Sequence, residues 1–101
     1  MIIVTVTFSI PSDLDVISLK NKFLETAPMY KETPGLIRKN YICDIKSHIA
    51  SGIYCFDTIK NAKSWFDDKR IEWLTKRYST PTLNFYESPV IVDNENDRTQ
   101  S

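Results

Sequence analysis

The chain has 101 residues, enough for one hydrophobic core and too few for two, since single domains cluster at roughly 100–150 residues. Hydrophobic residues make up 42% and charged residues 26%, a globular balance that excludes an intrinsically disordered chain. Thirteen Lys and Arg stand against thirteen Asp and Glu, so no net field gathers polyanions and nucleic acid is not an expected partner.

The first six residues, Met1 to Val6, have neither a basic region nor a small-residue cleavage site, and no apolar run approaches the roughly 20 residues that cross a bilayer. A cytoplasmic protein with no membrane partner is expected. Ile2, Val4, Val6 and Phe8 alternate with Ile3, Thr5, Thr7 and Ser9, the period of two of a strand over residues 2–9. Pro11 breaks that pattern. Ser12, with Asp15 three positions on, suggests a capping-box start for a helix in which Val16, Leu19, Phe23 and Ala27 keep helical spacing, with Pro28 as its end. Residues 29–35 read as a loop closed by a Pro34-Gly35 turn.

Two strands follow, over residues 36–45 and 50–56, joined through Lys46, Ser47 and His48 as a hairpin. Thr58 can cap a second helical region. There Ile59, Ala62, Trp65 and Phe66, then Ile71, Leu74 and Tyr78, keep helical spacing on either side of Asp67-Asp68, which fits one bent helix or two. Thr80-Pro81 ends it. Residues 82–92 read as a last strand in which Pro89 marks a bulge or an edge, and residues 93–101 as a disordered polar tail after a single domain spanning 1–92.

This β-α-β-β-α-β order predicts an α+β, ferredoxin-like fold: a four-stranded antiparallel sheet with helices on one face. The strands carry large apolar residues on both faces, as Leu36 and Ile42 against Ile37, Tyr41 and Ile45. Helices cover one face only, so the second is expected to pair with a second copy of the chain; a half-polar second face is the competing expectation.

Chemistry-bearing motifs are scarce. Gly35 and Gly52 are the only glycines and stand far apart, so no Gly-rich phosphate loop exists. Cys43 and Cys55 lack a Cys-x-x-Cys partner and His48 is the single histidine, which leaves no zinc set and no nucleophile–base pair; the cysteines are expected as thiols, with a disulfide possible if their strands are neighbours. Lys60, Lys63, Lys69, Arg70, Lys76 and Arg77 are interleaved with acids and read as a solvated helical face. The remaining candidates are Tyr30, Asn40, Tyr41, Tyr54, Trp65, Trp73 and Tyr86, side chains with an apolar body and a polar tip that can line a pocket where helices meet a sheet. An even hairpin loop places Tyr41 opposite Tyr54 on one face, whereas an odd loop places Asn40 there; both are open.

At Pro34-Gly35-Leu36, Lys39, Ser51-Gly52-Ile53-Tyr54-Cys55-Phe56 and Ala62 the chain resembles the YdhR-type monooxygenases of the dimeric α+β barrel superfamily, which also holds the antibiotic-biosynthesis monooxygenases. Where that family reads Glu-Ala-Gly-Gly-Ile-Tyr, this chain has Ile49-Ala50-Ser51-Gly52-Ile53-Tyr54, without the acid. The resemblance implies a homodimer whose sheets close a barrel, a pocket between sheet and helices, and oxidation of a small apolar or aromatic phenol or quinol by O2 with no cofactor and no metal. Tyr54, the residue matching the family motif, is the expected catalytic donor, and Asn40, Tyr41, Trp65 and Trp73 are the expected substrate-binding residues. A non-catalytic small-molecule-binding dimer is the alternative. A haem-handling relative would require an axial histidine on a helix, which His48 in a turn does not supply.

Overall fold

The computed structural model describes residues 1–101. The alternating run at the start forms β1 (Ile2–Ser9), whose even residues Ile2, Val4, Val6 and Phe8 are buried. Then come α1 (Val16–Lys31), β2 (Leu36–Asp44), β3 (Ile49–Phe56), α2 (Ile59–Trp65), α3 (Asp68–Arg77) and β4 (Thr82–Glu87). The four strands make one antiparallel sheet in the order β2-β3-β1-β4, the ferredoxin-like arrangement. The core lies between one sheet face and the helices, where β1 and the Ala50, Tyr54 and Phe56 side chains of β3 meet Leu19, Tyr30, Ala62, Phe66 and Leu74. No helix is long and apolar enough to cross a membrane.

The first helix differs from its sequence reading at both ends. Its N-cap is Asp15, whose Oδ1 accepts the Ser18 N–H at 2.7 Å, while Ser12 lies in the preceding turn. Pro28 does not end it: the helix runs on to Lys31. An internal proline costs about 3 kcal/mol, chiefly a lost backbone hydrogen bond and a steric clash. Burial of Tyr30 in the last turn offsets it, and the buried stripe is Leu19, Thr26 and Tyr30 with Phe23 half-buried, leaving Val16 exposed. Arg77 ties the far end of α3 to this helix by donating to the Lys22 carbonyl at 2.7 Å and to Glu25 at 2.9 Å.

The second helical region is two helices. Thr58 caps α2 by accepting the Asn61 N–H, and Asp67 caps α3 by accepting the Arg70 N–H at 2.8 Å. The last strand stops at Glu87, before Pro89, and residues beyond it form a separate hairpin of β5 (Ile91–Asp93) and β6 (Arg98–Gln100) where the sequence reads as a disordered tail. Asp93 closes its turn by accepting from Asn96 through both carboxylate oxygens, an Asx-type local bond that a polar sequence supplies without an apolar core.

Gly35 has φ +76°, and its carbonyl accepts the Asp57 N–H at 2.9 Å, clamping the start of β2 to the end of β3. A side chain there would run into Asp57 and Asn61 and sit in the left-handed region. Gly35→Ala is therefore expected to lower unfolding free energy by about 1–3 kcal/mol, read as a lower urea midpoint at unchanged m-value.

The sheet face away from the helices carries Ile3, Ile42, Ile53, Cys55 and Tyr86 together with Thr5, Thr7, Asn40 and Asn84. It is thus mixed, with Ile42 and Tyr86 exposed and the Thr7 and Ser51 hydroxyls sharing a 3.0 Å hydrogen bond.

Candidate active site

The β2–β3 register decides which side chains meet. The connecting turn has four residues, 45–48, an even count, so Tyr41 and Tyr54 do share the helix-side face. Directly opposite Tyr54, however, stands Lys39, and Tyr41 faces Gly52. A bulge at Ile37 lets Leu36 face inward as well: Leu36 pairs with Phe56 and Arg38 with Cys55. The turn of α1 beyond Pro28 adds Tyr30 to the same place.

The result is an amine enclosed by tyrosines. Lys39 Nζ lies 3.5 Å from the Tyr30 ring centroid, 3.8 Å from that of Tyr41 and 4.5 Å from that of Tyr54. The Tyr30 and Tyr54 hydroxyls share a hydrogen bond of 3.2 Å, and the Tyr41 hydroxyl shares one of 2.9 Å with Thr26. None of the chain's three ion pairs involves Lys39. Loss of hydration disfavours the charged form of each group, so the Lys39 amine is pushed down to about 6 and the Tyr30 phenol up to about 12. Tyr54 is raised further for the same reason, and Tyr41 and Tyr78 are raised as well.

Behind Tyr30, whose ring centroid is 5.7 Å from that of Trp65, the Arg70 guanidinium stacks on the Trp65 indole at 3.8 Å. Trp65 Nε1 and Arg70 Nε are both buried donors with no acceptor. Arg70 and Arg77 also lie over Trp73, so these two arginines are half-buried stacking partners and not part of a solvated face; Lys60, Lys63, Lys69 and Lys76 are exposed, as expected. Flat, weakly hydrated guanidinium groups pack on indoles in a way that ammonium groups do not, which separates the two residue types here.

Two spaces adjoin Lys39, Tyr30 and Tyr41. The inner one, reaching Tyr54 and Trp73, is a cavity of about 10 Å3, at the lower limit for a single water. The outer one is an open groove of about 370 Å3 between the end of α1 and the edge strand β2, floored by Ala27, Leu36 and the stems of Arg38 and Lys39.

Among the residues singled out by sequence, Tyr41, Tyr54, Trp65 and Trp73 lie on the helix side of the sheet. Asn40 does not: the even turn that brings Tyr41 inward leaves it on the opposite face, where it accepts from Arg38 Nε at 3.2 Å. Tyr86 also lies on that face. Tyr54 is 1% exposed, so an incoming molecule meets Tyr30, Tyr41 and Lys39 first. A lysine in a strand ordinarily points to water, so the sequence signals for Lys39 are only its place among the residues of the family resemblance and its even spacing from Tyr41. His48 sits exposed in the turn after β2 at φ 53°, and no three His, Cys, Asp or Glu side chains converge to hold a metal ion.

No family model matches the chain, and no curated protein matches it. Solved structures do. A candidate antibiotic biosynthesis monooxygenase from Deinococcus radiodurans aligns over 92% of this chain and 97% of its own, with TM-score 0.68 and 12% identity. A MhuD variant with two manganese protoporphyrin IX bound per active site aligns over 92% and 99%, with TM-score 0.71 and 12% identity. The chain shares their fold. SnoaB from Streptomyces nogalater, a cofactor-independent oxygenase, aligns over 86% of this chain and 91% of its own, with TM-score 0.62 and 13% identity. At such identity the likeness carries the architecture and assigns no role to any residue.

Proposed function

We propose that the protein is a cofactor-independent monooxygenase of the YdhR type, acting on a small phenol or quinol with O2 as a homodimer joined through the open sheet face. The support is that Tyr30 and Tyr41, aromatic bodies with polar tips, line an open groove on this fold, with Tyr54 and Trp65 packed behind Tyr30. Such rings stack on a planar substrate and exclude water, and their tips fix its orientation. A phenol with a free para position then supplies all four electrons: phenol plus O2 gives quinone plus water, one oxygen atom entering the ring and the other leaving as water. The protein's part is to hold the substrate dry and to stabilise its developing oxyanion, for which Tyr30 and Tyr41, the hydroxyl-bearing residues of the groove lining, are the donors. Tyr54, sealed beneath Tyr30, acts through the shared hydroxyl bond and orients the Tyr30 phenol. Ile3, Ile42, Ile53 and Tyr86 form the dimer face.

Oxygen consumption by the purified, metal-free and flavin-free protein is measured against anthrones, naphthols and quinols. Uptake is expected for the parent protein, with at least a tenfold loss in Trp65→Ala and a smaller loss in Tyr54→Phe while both variants stay folded and dimeric. Saturable binding without uptake across the panel would make the protein a non-catalytic binding module.

A further inference from the structure

Lys39 occupies a position that neither protein packing nor solvation accounts for. An ammonium drawn out of water normally finds a carboxylate, and none is paired with it. The titratable groups around it are Tyr30 from α1, Tyr41 from its own strand, Tyr54 from β3 and, across the inner cavity, Tyr78 after α3; two cations, Lys31 and Arg38, share the groove lining, and Arg70 and Arg77 stack on Trp65 and Tyr78. The side chain is also seated. A Cβ on Gly52 would come within 3.2 Å of Lys39 Cε and 2.6 Å of Tyr54 Cε1, so the bare backbone of Gly52 is what lets the lysine stem lie flat beside Tyr54. Lys39 is the residue that, with Tyr30 and Tyr41, lines both the small inner cavity and the open groove.

We propose that Lys39 is the general base that takes the substrate's proton, an assignment that rests on the oxygenation reading above. The phenol O–H bond breaks, its electron pair remains on oxygen, and the proton goes to the Nζ lone pair; no electron leaves the substrate until O2 arrives. Burial favours the neutral amine at neutral pH, so the lone pair is present before substrate binds. Once protonated, the ammonium is held by three ring faces and by the phenolate it has generated. Tyr30, Tyr41 and Tyr54, all pushed upward, remain neutral donors and do not compete for the base's role.

Anaerobic binding of a hydroxyanthrone, followed by its absorption spectrum, tests this without any turnover. The parent protein is expected to bind it as the red-shifted anion at pH 7, whereas Lys39→Met binds the neutral form with affinity within a few-fold. With O2 admitted, kcat/KM should rise with pH through an apparent pKa near 6, and kcat should fall about 10²–10³-fold in Lys39→Met and recover in part when a small primary amine is added. Lys39→Arg, which keeps the charge and loses the accessible lone pair, should be as slow as Lys39→Met. An anionic spectrum that persists in Lys39→Met, or parental kcat in Lys39→Arg, would overturn the assignment, as would a neutral bound spectrum in the parent protein. The two readings fail separately: ionisation on binding without oxygen uptake keeps Lys39 as base and removes the oxygenase, and uptake unaffected by Lys39→Met does the reverse.

Discussion

Tyr54→Ala is expected to lower the unfolding free energy by about 3–5 kcal/mol, the range for deleting a large aromatic side chain from a packed core. The ring is 1% exposed and touches three other aromatics, with centroids 4.9 Å from Phe66, 5.6 Å from Tyr30 and 6.3 Å from Phe56. Because those neighbours sit at the C-cap of α2, in the last turn of α1 and on β3, they cannot all move inward to refill the space, and the loss belongs near the upper end. Tyr54→Phe keeps the ring and removes one hydroxyl, leaving Tyr30 Oη without its partner, for about 1 kcal/mol. Urea unfolding of the two variants separates packing from hydrogen bonding. An alanine cost close to the phenylalanine cost would mean that these rings do not form one continuous core.

Stability is expected to rise with pH between about 6 and 10 and to fall above it, an alkaline maximum that few small domains show. The sign follows from proton counting. In the unfolded chain Lys39 holds its proton up to its ordinary value of 10.5, whereas in the folded site it releases it near 6, so through that window the unfolded state binds more protons and raising pH favours folding. Below about pH 6 both states are protonated and the full penalty of the buried ammonium is felt. A shift of this size corresponds to about 6 kcal/mol at full linkage, and the ring faces and remaining water contact of a half-buried amine reduce it to roughly 2–4 kcal/mol. Above pH 10 the unfolded tyrosines ionise while Tyr30, raised to about 12, stays neutral in the fold, so stability is lost there. Urea midpoints across pH 5–11 should trace this curve, and Lys39→Met should flatten its rising limb and be the more stable protein at pH 6. A parental profile flat from pH 6 to 10 would show that Lys39 remains charged in the fold. Asp15, Asp57 and Asp93, held low by hydrogen bonds, act only below the ordinary carboxylate range, while Cys55, raised by burial from an ordinary 9.0, opposes the rise only at the alkaline end of the window.

These two effects share one origin. The same desolvation that makes Tyr54 a strong contributor to the core makes Lys39 a liability to it, and a residue that costs stability where it stands is a functional candidate. An apolar side chain at position 39 would pack at least as well.

Period-two alternation in β1, the capping residue Thr58 and the helical spacing of Ala62, Phe66 and Leu74 are local signals. They determined the α+β order and most of the core, because burial of one strand face and one helix stripe is written into residue spacing. Three decisions lay outside that reach. Pro28 carries the same local penalty wherever it occurs, and only the burial of Tyr30 two residues later keeps α1 intact. The polar run after Asp93 looks unable to order itself, yet Asx-type bonds fold it into a hairpin. Above all, the four-residue turn 45–48 set the parity of β2, sending Asn40 out and Lys39 and Tyr41 in, and the bulge at Ile37 let Leu36 face inward as well. Side-chain direction in a strand is a running count from a fixed point, so the length of the turn and the place of a bulge decide it, and both are set by pairing with the partner strand.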